Sequence, residues 1–206
     1  MGVISDKKHN LINEMYYKKQ MPIRAIAEIL GVSIDAVTYF MRKHDMKRRT
    51  RTLSRNLIFQ NKKLSFKEKP KLSLKQEKLK LAGLILYWGE GYKTSKSKGI
   101  DFANSDTDMI LVFVAFLREI YGIDEKRLRV LLYCYSDQNI SELIEFWSKL
   151  TSIPKDQFSK PYVRQDFKKD GRKMKYGMVH IRYSDKKLFL AIMNEIDQLK
   201  INMRRW

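Results

Sequence analysis

Glu90 is the residue best placed to do chemistry. It lies in the apolar run LKLAGLILYWGEGYK, residues 79–93, between Gly89 and Gly91 and three residues before Lys93. A carboxylate can hold a divalent metal over a phosphodiester, and such a metal both activates water and stabilises the leaving oxygen. A nearby ammonium can steady the charged phosphate. The setting suits phosphate, because 42 Lys and Arg stand against 23 Asp and Glu, a net charge of +19. A lone carboxylate is equally at home capping a helix or pairing with a lysine, so both readings of Glu90 stand.

A second polar group lies nearer the N-terminus. Ser33, Asp35, Thr38, Tyr39 and Arg42 take the outward positions of an expected helix, IDAVTYFMRKH, and its cap. Arg42 suits guanine or a phosphate, and Thr38 and Tyr39 suit phosphate or a thymine methyl. Asp35 can accept from cytosine or simply face the helix dipole. Arg48, Arg49 and Arg51 follow directly. They read as an arm of the kind that enters a minor groove, or as a solvated linker touching phosphates non-specifically.

The elements that must position these residues follow from pattern. Residues 1–80 hold 20 basic and 7 acidic side chains, a net of +13. That concentration is the electrostatic footprint of a nucleic-acid binder. A hydrophobic content of 44% is enough for ordinary cores, which argues against wholesale disorder. Cys134 is the one cysteine, so no disulfide forms within the chain, as expected of a reducing cytoplasm. His9, His44 and His180 are scattered and suggest no zinc site. No signal-peptide core or membrane-length apolar run is evident, so no membrane association is expected.

Leu11, Ile12, Met15 and Tyr16 should share one face of a first helix. Pro22 suits the first turn of a second, IRAIAEIL, which Gly31 should stop. Ser33 can cap the third. Ala27 is small where two helices would cross, and Val37 fills the corner beneath the turn. Ile26, Leu30, Val32 and Phe40 take the remaining apolar positions. This pattern resembles the helix-turn-helix of recombinases and many bacterial regulators. The resemblance implies that the third helix is a recognition helix for the major groove of double-stranded DNA. Residues 1–47 form this domain, and 48–73 read as a basic linker with Pro70 breaking it before a helix that starts near Ser73.

The run at 79–91 resembles the LAGLIDADG homing endonucleases and their regulator relatives. LAGLI reads literally at 81–85, but anchoring on the acid places Glu90 and Gly91 on the last two motif positions, as in relatives that read YWxEG. That register puts Ile85 where a glycine normally lets two helices touch, while Gly89 keeps a small surface one turn later. KGIDFANS and RLRVLLYCY read as strands, and Asn104–Asp106 caps a helix between them. SELIEFWSKL reads as an inserted helix. PYVRQDF and YGMVHIRY read as a hairpin across KKDGRK, and SDKKLFLAIMNEIDQL closes with a helix. The expected fold is α+β: an N-terminal all-α helix-turn-helix, then a LAGLIDADG-like α/β domain over 74–206 with an antiparallel saddle sheet. The resemblance covers roughly residues 74–199.

The resemblance implies that Glu90 binds a divalent metal, expected to be Mg²⁺, and that the 79–91 helix pairs two copies into a homodimer; Lys93 or a lysine of the 168–175 segment would steady the charged phosphate during catalysis. It also implies DNA contacts from the sheet side, with Lys93, Lys96, Lys98, Arg129, Arg164, Lys168, Arg172, Lys173 and Lys175 as candidates. Three functions stay open. The chain is a site-specific DNA-binding protein that cleaves as a metal-dependent homodimer, a non-cleaving transcription regulator with a degenerate LAGLIDADG domain, or an RNA-binding splicing helper. The expected location is the cytoplasm, in association with the nucleoid.

Overall fold

Short polar side chains write the helix boundaries, each satisfying backbone N–H groups that a helix start leaves without partners. The computed structural model describes residues 3–165 and 174–204. The chain divides into two units, Met1–Lys63 and Leu64–Trp206, each with its own core.

The first unit is helical. α1 (His9–Asn13) runs into one wide turn, Glu14–Lys18, where the Lys19 N–H reaches the Glu14 carbonyl at 2.9 Å. α2 (Ile23–Leu30) follows Pro22 and ends at Gly31, whose φ of 65° is the left-handed conformation that glycine adopts freely. α3 (Ile34–Lys43) starts at Ser33, whose Oγ accepts from the Ala36 N–H at 3.1 Å. Ile12, Ile26, Val37 and Met41 are fully buried, with Tyr16, Ala27 and Phe40 beside them. Leu11, expected inward, is 42% exposed. The wide turn carries Met15 and Tyr16 onto the core and leaves Leu11 outside.

The segment expected as a linker is ordered. α4 (Arg51–Asn61) begins at Thr50, whose Oγ1 accepts from the Leu53 N–H at 3.2 Å. Residues 65–69 belong to the second unit. Lys67 and Lys69 donate backbone N–H groups to the carbonyls of Tyr121 and Ile120 at 2.8 and 2.9 Å, and the Ser65 carbonyl accepts from the Asp124 N–H at 3.1 Å. The two compact units divide at 63/64, within the 48–73 segment.

The second unit is mixed α+β, built on α5 (Leu74–Glu90), β1 (Ile100–Asn104), α6 (Thr107–Tyr121), β2 (Leu128–Tyr135), α7 (Ile140–Thr151), β3 (Tyr162–Arg164), β4 (Met178–Tyr183) and α8 (Lys186–Met203). Ser73 and Gln76 form a reciprocal capping box at α5. Asp106, Asn139 and Asp185 cap α6, α7 and α8. The sheet order is β1-β4-β2-β3. One face sends Phe102, Val130, Leu132 and Ile181 into the core with Phe113, Phe116 and Trp147. No described helix is long and apolar enough to cross a membrane.

Two expectations are corrected here. The sheet is mixed, not antiparallel, because β3 lies parallel to β2 in the register Tyr133↔Tyr162. β3 and β4 do not form a hairpin, since β4 pairs with β1 and β2. The physical reason is α7. A helix between β2 and β3 is a crossover that returns the chain in the same direction, as parallel pairing requires.

Candidate nucleic-acid interface

α3 buries Val37, Phe40 and Met41 and turns Asp35, Tyr39 and Arg42 outward, with Thr38 half-buried between them. The Arg42 guanidinium sits 5.6 Å from the Tyr39 ring centroid, so the two form one exposed cation–aromatic pair. Ser33 is exposed, but its hydroxyl is engaged as the cap. Lys43 and His44 both contact Asp6 at 2.9 Å, and their hydrogen bonds hold its carboxyl below the usual carboxylate range.

The three arginines after α3 part company. Arg48 and Arg51 are exposed. Arg49 is turned inward: its guanidinium donates to the carbonyls of Tyr16, Met21 and Gln20 at 2.9, 2.7 and 3.1 Å and lies 3.9 Å over the Tyr16 ring. Its own N–H donates to the Tyr16 hydroxyl at 2.7 Å. Arg49 therefore pins the chain after α3 to the wide turn. Its guanidinium faces carbonyls of its own unit, unlike those of Arg48 and Arg51.

Glu90 is exposed at the last position of α5 and makes no hydrogen bond or ion pair with a described residue. Gly91 next to it is buried. A Cβ there would fall 2.4 Å from the Tyr87 ring, so this corner needs glycine for close approach. Lys93 Nζ donates to the Gly91 carbonyl at 2.6 Å and the Tyr87 carbonyl at 3.3 Å, closing the end of α5. Burial lowers the Lys93 pKa; Glu90 opposes that shift and Lys200 adds to it. Two of the lysine's three donors are thus committed to the backbone. Tyr87 is wholly buried, and its hydroxyl donates to the Tyr92 carbonyl at 3.0 Å.

Mg²⁺ asks for six oxygens, commonly one or two carboxylates with waters and phosphates. No group of three His, Cys, Asp or Glu that could hold a metal occurs among the described residues. One chain offers the single Glu90 carboxylate, which does not make a Mg²⁺ site by itself.

The rest of α5 has two contrasting faces. Gly83, Leu84 and Tyr87 face the core, and a Cβ on Gly83 would lie 2.1 Å from Phe116 Cγ. Leu81, Ile85 and Trp88 face outward at 44%, 43% and 37% exposure. Gly89 follows on the same side, with nothing within 4 Å of where its Cβ would be.

The more exposed sheet face holds a cluster that sequence reasoning missed. Asp101 on β1 accepts from Arg182 Nε at 2.9 Å and contacts His180 Nδ1 at 2.7 Å, both on β4. Burial pushes the Asp101 carboxyl up, but His180 and Arg182 together outweigh it and leave the pKa lowered. Tyr133 on β2 stands between His180 and Tyr162, with ring centroids 4.7 and 4.8 Å away. Of the expected contacts, Arg129 and Arg164 share this face, though Arg129 also donates to the Lys126 and Leu128 carbonyls at 2.7 and 2.6 Å. Lys175 is exposed, its Nζ 5.0 Å from the Tyr176 ring centroid. Lys168, Arg172 and Lys173 lie outside the described residues. The alternate positions of RLRVLLYCY and MVHIRY were the available signal for the missed residues. Comparison with protein-family models, curated proteins and solved structures gives no match.

Proposed function

We propose that the chain is a site-specific double-stranded-DNA-binding protein. In this reading the first unit is a helix-turn-helix with α3 as its recognition helix. The second is a LAGLIDADG-like unit that lays its open sheet face on the duplex, and the protein is cytoplasmic and nucleoid-associated. The observation that carries the reading is α3, which is packed through Val37, Phe40 and Met41 while presenting Asp35, Tyr39 and Arg42. Duplexes selected from a random pool, measured by fluorescence anisotropy, test it. Arg42→Ala should cost about 1–3 kcal/mol on the selected site. Equal binding of selected and scrambled duplexes overturns site specificity. Displacement of the duplex by structured RNA at equal concentration moves the assignment to the RNA-binding reading.

The outward stripe on α5 favours a homodimer. Leu81, Ile85 and Trp88 are spaced as a helix–helix seam, and Gly89 leaves room for close approach. Two copies about a two-fold axis would bring two Glu90 side chains together over the two strands. Cleavage is the second reading, and Mg²⁺ with a confirmed duplex decides it. Metal-dependent double-strand cutting that Glu90→Gln abolishes establishes the nuclease. Wild type and Glu90→Gln equally inert on that site establish the non-cleaving regulator.

A further inference from the structure

The first unit holds a cavity of about 960 Å³ between α4 and the segment from Tyr16 to Arg24. That is at the upper end of the range of small-molecule pockets, about 300–1,000 Å³. Its lining divides by chemistry. Ile23 on α2 and Leu57 and Ile58 on α4 make apolar walls, and Arg24, Arg48 and Arg51 bring guanidinium groups. No Asp or Glu lines it. Arg24 is exposed and has no hydrogen-bonding or ionic partner among the described residues, so its guanidinium is free to pair with an anion.

α4 supplies the second argument. It has 11 residues and buries none of them fully; Ile58, which lines the cavity, remains 54% exposed. A helix this short is marginal in water without a packed face. The apolar face that should pack is the one bordering the cavity. An occupant with an apolar body would cover the exposed Ile58 side chain.

We propose that this cleft binds an amphipathic organic carboxylate. The apolar body lies between Ile23 and the Leu57–Ile58 face of α4, and the carboxylate reaches Arg24 with Arg48 or Arg51. A purely inorganic anion leaves the apolar walls wet, and a neutral hydrocarbon leaves the guanidinium groups unpaired. The cleft shares Arg48 and Arg51 with the DNA reading, so octanoate is titrated with no DNA present.

Octanoate and 1-octanol are the probes, titrated into the full chain by calorimetry. Octanoate should saturate one site per chain and bind at least tenfold more tightly than 1-octanol. Arg24→Glu should weaken octanoate at least tenfold. Arg55→Glu, the same charge change on α4 away from the lining, should stay within twofold. Ile58→Asp is the second variant; its side chain is already exposed, so the fold tolerates it, and octanoate binding should fall by a similar factor. Amide hydrogen exchange across residues 51–61 should slow when octanoate is bound. Equal affinity for 1-octanol, equal loss in Arg55→Glu, absence of saturation, or displacement by an equal concentration of inorganic phosphate would each overturn the proposal.

Discussion

At the scale of single residues, long-range partners decide roles that neighbouring letters share. Arg48, Arg49 and Arg51 look alike in the sequence, yet Arg49 alone is fixed by three carbonyls and the Tyr16 ring. Those acceptors lie about thirty residues earlier, Tyr16 within a wide turn that no local pattern announces and Gln20 and Met21 just after it. Arg49→Ala should therefore destabilise the first unit by about 2 kcal/mol, because several backbone acceptors lose a charged donor. Arg48→Ala and Arg51→Ala should leave stability within about 0.5 kcal/mol. Urea denaturation of the three variants separates the cases, and equal stability for all three contradicts the pinning role. Asp101 was overlooked for the same reason, since its partners His180 and Arg182 lie on β4. Its carboxyl is held below the ordinary value of 3.8, so its contribution is complete above that pH and is lost as pH falls through the lower folded value. Asp101→Asn should cost about 1–2 kcal/mol at pH 7. The gap between variant and wild type should narrow as pH falls below 3.8. A gap that is constant with pH would show that the carboxylate's charge is not what matters.

At the scale of elements, what is local was legible. Ser33, Ser73 and Asp106 cap helices as their residue types suggest, and Gly31 stops α2. Strand direction was not legible, because it depends on how the chain returns. β3 has three residues, too few for an alternation to speak, and α7 carries the chain over so that β3 runs with β2. The glycines of α5 show how one motif serves two surfaces. Gly83 meets Phe116 inside the unit, whereas Gly89 faces open space. Gly83→Ala gains helix propensity of up to about 1 kcal/mol but overpacks a buried ring at a cost of about 1–3 kcal/mol. It should lower the thermal midpoint. Gly89→Ala gains propensity without a clash in the single chain and should raise the midpoint slightly. If α5 pairs two copies closely at Gly89, the same substitution should weaken self-association in sedimentation equilibrium. Unchanged association would remove Gly89 from the contact.

At the scale of the whole chain, charge asymmetry points to a basic N-terminal part, and the division between the two units falls within its basic 48–73 segment. The basic letters of 48–73 look uniform; their division between α4 and the 65–69 segment depends on Thr50 and on the carbonyls of Ile120 and Tyr121. The consequence is a prediction about salt. Each phosphate neutralised on duplex DNA contributes about −0.9 to the slope of log affinity against log salt. If exposed cations make the phosphate contacts, removing Arg48 or Arg51 should reduce the slope by about 1 each. Removing Arg49 should leave the slope unchanged, since its guanidinium already faces carbonyls of its own unit. Anisotropy titrations between about 50 and 200 mM salt resolve such differences, because several contacts together shift affinity by orders of magnitude over that range. A flat response for the wild type would contradict phosphate binding by the +13 segment. A slope that falls equally for Arg48, Arg49 and Arg51 would mean that Arg49 leaves its carbonyls when DNA binds. Stability measured on the same Arg49 variant tells that outcome apart from simple unfolding of the first unit.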